Sequence, residues 1–141
     1  MKRAVRQVLL LLGLACLPAI GQAIYLRHEI AWEAAPLLPD EVKLVDARAW
    51  GDSVLWVDAR PSEQFTQAHI PGAISLNEDH WNELLPLMLA TWSPDRRTVV
   101  YCSRQTCAAS HEVAKRLRDD AGLKDVYVLH GGWETWQEMN R

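Results

Sequence analysis

The sequence predicts an α/β protein with a mostly parallel sheet flanked by helices, and three observations lead there. Short apolar runs alternate with helical stripes from about residue 42 to the end. The run Val54-Leu55-Trp56-Val57 is apolar without alternation, as in a strand buried on both faces. Thr98-Val99-Val100-Tyr101 ends at Cys102 and passes through a compact polar loop. A helical stripe follows it, with Ala109, Val113, Leu117 and Ala121 recurring every four residues. In such sheets the ligand site lies at the carboxyl ends of the strands, where Asp58, Cys102 and His130 stand.

Taken in order, the chain opens on a leader. Lys2, Arg3 and Arg6 are its only charges, and residues 8–26 carry none. As a helix that run spans roughly the ~30 Å hydrocarbon layer. The three cations orient it with the amino terminus in the cytoplasm, and Tyr25 and Trp32 fall at the outer interface. A cleaved signal peptide fits the same stretch: apolar core 8–17, a break at Pro18, small residues at Gly21-Gln22-Ala23. A buried soluble helix is the third reading. Cys16 makes a poor lipoprotein site because Gly13 stands where a branched apolar residue is usual. Anchor and signal both deliver the rest to an extracytoplasmic, periplasmic compartment. Residues 1–26 are thus a hydrophobic N-terminal helix, 27–41 a linker with Pro36 and Pro39, and 42–141 the domain.

Its elements follow the pattern of the sequence. Residues 42–45 read as a short strand, 54–57 as a buried one, 62–68 as a short helix and 73–76 as a third strand. Trp81, Leu84, Leu85, Met88 and Leu89 form a helical stripe that Pro86 should kink or split. Residues 98–101 and 126–129 are two more β runs around the helix after Cys102, and Gly131-Gly132 turns the chain into a last helix with Trp133 and Trp136. With 141 residues, 49% of them hydrophobic, there is one domain and a real core. Past the leader 12 basic face 18 acidic side chains, an acidic body without a basic stripe, which argues against nucleic acid as partner. The seven tryptophans are scattered, as packing residues are.

Cys102 is the candidate centre. A cysteine at a strand end, beneath a helix amino end, sits where backbone N–H groups converge on an anion, and the thiolate favoured there is the nucleophile. The competing reading is a buried structural cysteine.

Three separated stretches share one pattern. Val57-Asp58-Ala59-Arg60-Pro61 with Phe65 and then His69-Ile70-Pro71-Gly72-Ala73 resemble the first signature of the rhodanese-like family. Tyr101-Cys102 and its loop take the place of that family's active-site loop, and Leu129-His130-Gly131-Gly132-Trp133 with Trp136 resembles its closing signature. The resemblance implies a central, mostly parallel five-stranded sheet and a thiosulfate sulfurtransferase-like activity. In it Cys102 takes sulfane sulfur as a persulfide, from thiosulfate or another persulfide, and passes it to a thiol, cyanide or a protein, with no cofactor or metal.

Ser103, Arg104, Gln105, Thr106 and Ala108 are the expected anion-binding loop, Arg104 recruiting the anion as the loop's one cation. Asp58, Arg60, His69, Gly72, Gly131, Gly132 and Trp133 are read as structural. Asp58 accepts backbone N–H groups, Arg60 pairs with a carboxylate such as Glu63, and His69 braces the Pro71-Gly72 turn. His130 is a polar turn residue, and His80 and His111 lack zinc-ligand spacing. Two departures from the family pattern stand out. The loop reads as longer than usual, as in phosphatase-type relatives, but Ala108 stands where those need arginine. Cys107 lies in the loop, where it could resolve the persulfide or trap Cys102 as a disulfide. Two alternatives remain: a membrane-tethered thiol–disulfide protein using Cys102 and Cys107, and a non-catalytic binding module.

Overall fold

A computed structural model describes residues 3, 5–7, 18, 36–104 and 107–141. The chain divides into two units, Met1–Pro36 and Leu37–Arg141. In the first, Arg3, residues 5–7 and Pro18 are helical. Apart from Pro18, the predicted span 8–26 lies outside the described residues. Among those described, no helix is long and apolar enough to cross a membrane.

The second unit is a five-stranded sheet in the order β1-β5-β4-β2-β3. The strands are β1 (Glu41–Val42), β2 (Val54–Asp58), β3 (Ile74–Ser75), β4 (Arg97–Tyr101) and β5 (Val126–Leu129), and every neighbouring pair runs parallel. The helices are α1 (Leu44–Ala49), α2 (Ser62–Gln67), α3 (Trp81–Thr91), α4 (Cys107–Asp119) and α5 (Gly132–Met139). Parallel pairing requires crossovers, and the crossovers cover both faces, which is why β2 and β4 carry continuous apolar runs.

Two cores result. Leu55, Val57, Val100 and Val128 meet Trp81 and Met88 of α3 and Val113, Ala114 and Leu117 of α4 on one face. Val54, Val99, Tyr101 and Leu129 meet Leu44 and Ala47 of α1 on the other, under the partly buried Trp50, Trp56, Trp133 and Trp136. These four, with Trp81 and Trp92 on the first face, are packing residues, as the sequence suggested; Trp32 lies outside the described residues.

Three expectations change. The strand expected over 42–45 is only Glu41–Val42, and Leu44–Ala49 is a helix. Leu44 and Ala47, three residues apart, are buried on one face while Val45 is 59% exposed, so the helical period overrides the β-branched residues. Glu41, assigned to the linker, is in β1, and the carbonyl of Asp40 before it accepts the Val128 N–H of β5 at 2.8 Å. α3 runs unbroken through the solvent-facing Pro86, anchored by buried Trp81 and Met88 on either side of it.

Candidate active site at the end of β4

Alternation along β4 sends Tyr101 to one face and Cys102 to the other. Cys102 is 2% exposed and belongs to the buried cluster that also holds Val113 and Ala114 of α4. Its Sγ lies 3.0 Å from Ser110 Oγ and 3.2 Å from the Ser103 carbonyl oxygen. Ser110, itself 1% exposed, sits in the first turn of α4, so one helix end supplies both the hydroxyl and the positive end of its dipole. The Cys102 carbonyl accepts the Trp133 N–H at 2.8 Å. Gly132 makes that approach possible: at φ +58 it passes so close that a Cβ there would run into the Cys102 carbonyl. The closing motif therefore holds the cysteine's backbone.

The loop differs from the expected cradle. The Arg104 N–H donates to Glu134 Oε2 at 2.8 Å, and its guanidinium faces Glu138 Oε1 at 3.4 Å, both side chains of that pair being 60% exposed. The loop's cation and one of its N–H groups are thus engaged by carboxylates of α5. Cys107 and Ala108 are not in the loop: α4 begins at Cys107, which shortens the expected loop. Gln105 and Thr106 lie outside the described residues.

Asp58 does accept a backbone N–H, that of Arg60 at 2.9 Å, but Arg60 pairs with Asp58 itself rather than Glu63. Its Nε and Nη2 grip both carboxylate oxygens, and Nη2 also donates to the Ala68 carbonyl at 2.7 Å. Burial opposes the Arg60 charge, yet the hydrogen bond and charge of Asp58 prevail and raise its pKa. The guanidinium lies 4.5 Å from the Trp133 ring and 5.6 Å from that of Tyr101. Burial, then the Asp58 charge, pushes the Tyr101 phenol up, so it stays neutral and accepts the Ile70 N–H. His69 does not brace the Pro71-Gly72 turn. Its Nδ1 is 2.9 Å from the Phe65 carbonyl and its ring stacks on Phe65 at 4.1 Å, which finishes α2. Gly72 takes φ +78 in that turn.

His130 and His111 turn to the β1 edge. His130 Nδ1 is 3.1 Å from Glu41 Oε2, His111 Nε2 is 3.4 Å from Glu41 Oε1, and His111 Nδ1 is 3.7 Å from Asp40 Oδ2. Arg118 donates to Asp40 at 2.9 Å. His80 faces Glu83 at the surface. Among the described residues no group of histidine, cysteine and carboxylate side chains is arranged to hold a metal ion.

Sequence reasoning passed over Ser110 and Glu134. A hydroxyl on the buried stripe of a helix, adjacent in phase to Val113 and Ala114, was the available signal for Ser110. Glu134 carried none, because a carboxylate in the first turn of a helix is ordinary. A cleft of about 370 Å³ opens beside Ser103, lined by Gln64, Gln67, Trp133, Glu134 and Gln137 along with Arg60 and Ala68.

Residues 39–139 match the model of the rhodanese-like domain. The thiosulfate sulfurtransferase GlpE of Shewanella oneidensis is 36% identical over 88 residues, 62% of this chain and 80% of that protein. The thiosulfate sulfurtransferase YnjE of Escherichia coli is 35% identical over 106 residues, and the match spans 22% of its length. An HTH-type transcriptional regulator of Mycobacterium tuberculosis is 32% identical over 127 residues, 84% of this chain and 53% of the regulator. Among solved structures, a Bacillus halodurans protein superposes with a TM-score of 0.59 at 23% identity, covering 87% of this chain and 82% of its own. A rhodanese-related protein of Thermoplasma volcanium does so at 0.57 and 17%, covering 70% and 91%. At those identities the structures show the shared fold.

Proposed function

The chain belongs to the rhodanese-like domain family, a sulfurtransferase-type family, and on that premise we propose that it transfers sulfane sulfur through a persulfide on Cys102. One observation carries the reading: Cys102 Sγ stands at the end of the central strand, 3.0 Å from a buried hydroxyl in the first turn of α4. When the thiol ionises, Ser110 can donate to the sulfur, and the helix dipole adds to that charge-assisted bond. The thiolate attacks the outer sulfur of the donor, the donor's S–S bond breaks, and the leaving group departs with the electron pair. The acceptor thiolate then takes the same sulfur and returns Cys102 as thiolate. The names of GlpE and YnjE support this activity class.

The full chain should move sulfur from thiosulfate or a thiol persulfide to cyanide, and Cys102→Ser should abolish it. Equal rates in the two proteins overturn the proposal. A mass spectrum of unreduced protein from its host distinguishes the alternatives. A gain of about 32 Da marks a persulfide, and a loss of about 2 Da marks a Cys102–Cys107 disulfide and the thiol–disulfide reading. The uncharged run 8–26 behind three cations supports delivery of the domain beyond the cytoplasm, anchored or after cleavage near Ala23. The mature N-terminus and the membrane fraction test it.

A further inference from the structure

We infer that Glu134 and Glu138 set the donor class, favouring an organic thiol persulfide over the thiosulfate dianion; the inference rests on the sulfurtransferase reading above. The two carboxylates are one turn apart on α5 and both reach the loop that follows Cys102. Glu134 accepts the Arg104 N–H and Glu138 faces the Arg104 guanidinium. Among the described loop residues these are a backbone donor and the cation available to an incoming small anion, and each already faces a negative charge. The cleft beside Ser103 adds no compensating cation: Arg60 is the only one among its described lining residues, and Asp58 holds that charge.

The same cleft, which is lined in part by Ser103, the residue after Cys102, has the size and lining to hold the carrier of a persulfide. Its volume is about 370 Å³, within the range of sites for organic ligands and far beyond what the few heavy atoms of thiosulfate fill. Its lining of Gln64, Gln67 and Gln137 carboxamides with the Trp133 indole offers hydrogen bonds and an apolar wall to an amino-acid-like group. Charge works in the same direction. With thiosulfate, the Cys102 thiolate bonds to the outer sulfur, giving Cys102–S–S⁻, as the donor's S–S bond breaks and sulfite leaves as a dianion. With the persulfide anion R–S–S⁻, the thiolate forms Cys102–S–S⁻ and expels the monoanion R–S⁻, so donor and leaving group each bring one negative charge fewer to a loop that Glu134 and Glu138 already make negative. No electrons are gained or lost overall in either exchange.

The test uses the full chain with thiosulfate and with cysteine persulfide, which carries one net negative charge at neutral pH. Glu134→Gln keeps an oxygen for the Arg104 N–H while removing the charge, so charge is separated from loop structure; Glu138→Gln is combined with it. The wild type should show the higher kcat/KM with cysteine persulfide. In the double variant KM for thiosulfate should fall ~3- to 5-fold, the scale of removing partly exposed charges, while KM for cysteine persulfide changes less. An unchanged thiosulfate KM overturns the inference. A second readout is independent of sulfur transfer: the rates at which anionic iodoacetate and neutral iodoacetamide alkylate Cys102, read on its peptide. The iodoacetate-to-iodoacetamide ratio should rise in the double variant and, in the wild type, with added salt. An unmoved ratio removes the electrostatic gate whatever the activity. A moved ratio without Cys102-dependent transfer from either donor overturns the sulfurtransferase reading, and the donor assignment with it.

Discussion

Two helices meet at Cys102 and treat it differently. α4 approaches from the interior, with Ser110, Val113, Ala114 and Leu117 all buried and one hydroxyl on the sulfur. α5 approaches from the surface and touches backbone: Gly132 against the Cys102 carbonyl, the Trp133 N–H bonded to it, and two carboxylates on the loop. The dry side tunes the sulfur's chemistry, and the wet side fixes its position and meets whatever arrives. Losses on the α5 side should therefore appear first in stability and selectivity, and losses on the α4 side in reactivity.

The largest effect should come from Arg60→Ala, which removes the link between Asp58 and Trp133. It leaves Asp58, fully buried, without its partner, and breaking such a pair costs ~3–5 kcal/mol. Urea denaturation checks it. Arg60→Lys should recover little, because an ammonium cannot make the two-pronged grip or the stacking. A cost below ~1 kcal/mol would show that the pair does not anchor the α5 side. Next is Gly132→Ala against Gly51→Ala. Both glycines have φ +58, but only at Gly132 does a Cβ strike anything, namely the Cys102 carbonyl. Gly132→Ala should cost ~1–3 kcal/mol more than Gly51→Ala through overpacking. Equal costs would mean that backbone strain alone matters and that the α5–Cys102 contact is loose.

Ser110→Ala breaks the other side. It should change stability by only ~1 kcal/mol, the net worth of one hydrogen bond. Iodoacetamide alkylation of Cys102 should nevertheless slow ~3- to 10-fold near neutral pH, with its pH profile moved upward, because a hydrogen bond to an ion is the stronger kind. An unmoved profile would leave Ser110 a packing residue.

The contrast also explains what could be read from sequence. Strands β2, β4 and β5 were legible because central parallel strands are apolar throughout, and Cys102, Gly131 and Gly132 stood in motifs. The edge was not legible: two residues suffice for β1, too few for a period, and the helix after it is marked only by Leu44 and Ala47. Partner choice was also invisible. Arg60 chose Asp58 two residues away over Glu63, and His69 chose Phe65 over the turn it precedes, since a side chain's partner depends on where the chain folds back. The acidic gate was hidden for the same reason, because Glu134 meets Arg104 across thirty positions of sequence.

The smallest expected effect separates how the two helices are tethered. α4 is tied to the β1 edge through ionisable groups: His111 to Asp40 and Glu41, and Arg118 to Asp40, with His130 on Glu41 from the turn after β5. α5 holds Cys102 through a backbone N–H that does not titrate. For both acids burial works to raise the pKa. The Arg118 hydrogen bond to Asp40, and the Leu38 N–H and His130 bonds to Glu41, outweigh it and leave both lowered. Folded values below the unfolded 3.8 and 4.5 mean that the unfolded chain binds more protons as acid is added. Their stabilisation is therefore complete above those values and is lost as pH falls through the folded ones. Asp40→Asn with Glu41→Gln should flatten the acid limb of the stability curve below about pH 5, by ~1 kcal/mol in total, because both groups are partly solvated. Hydrogen exchange should show amides of α4 losing protection in acid before those of α5. An acid limb identical in wild type and double variant would remove the ionic tether and leave α4 held by Val113, Ala114 and Leu117 alone.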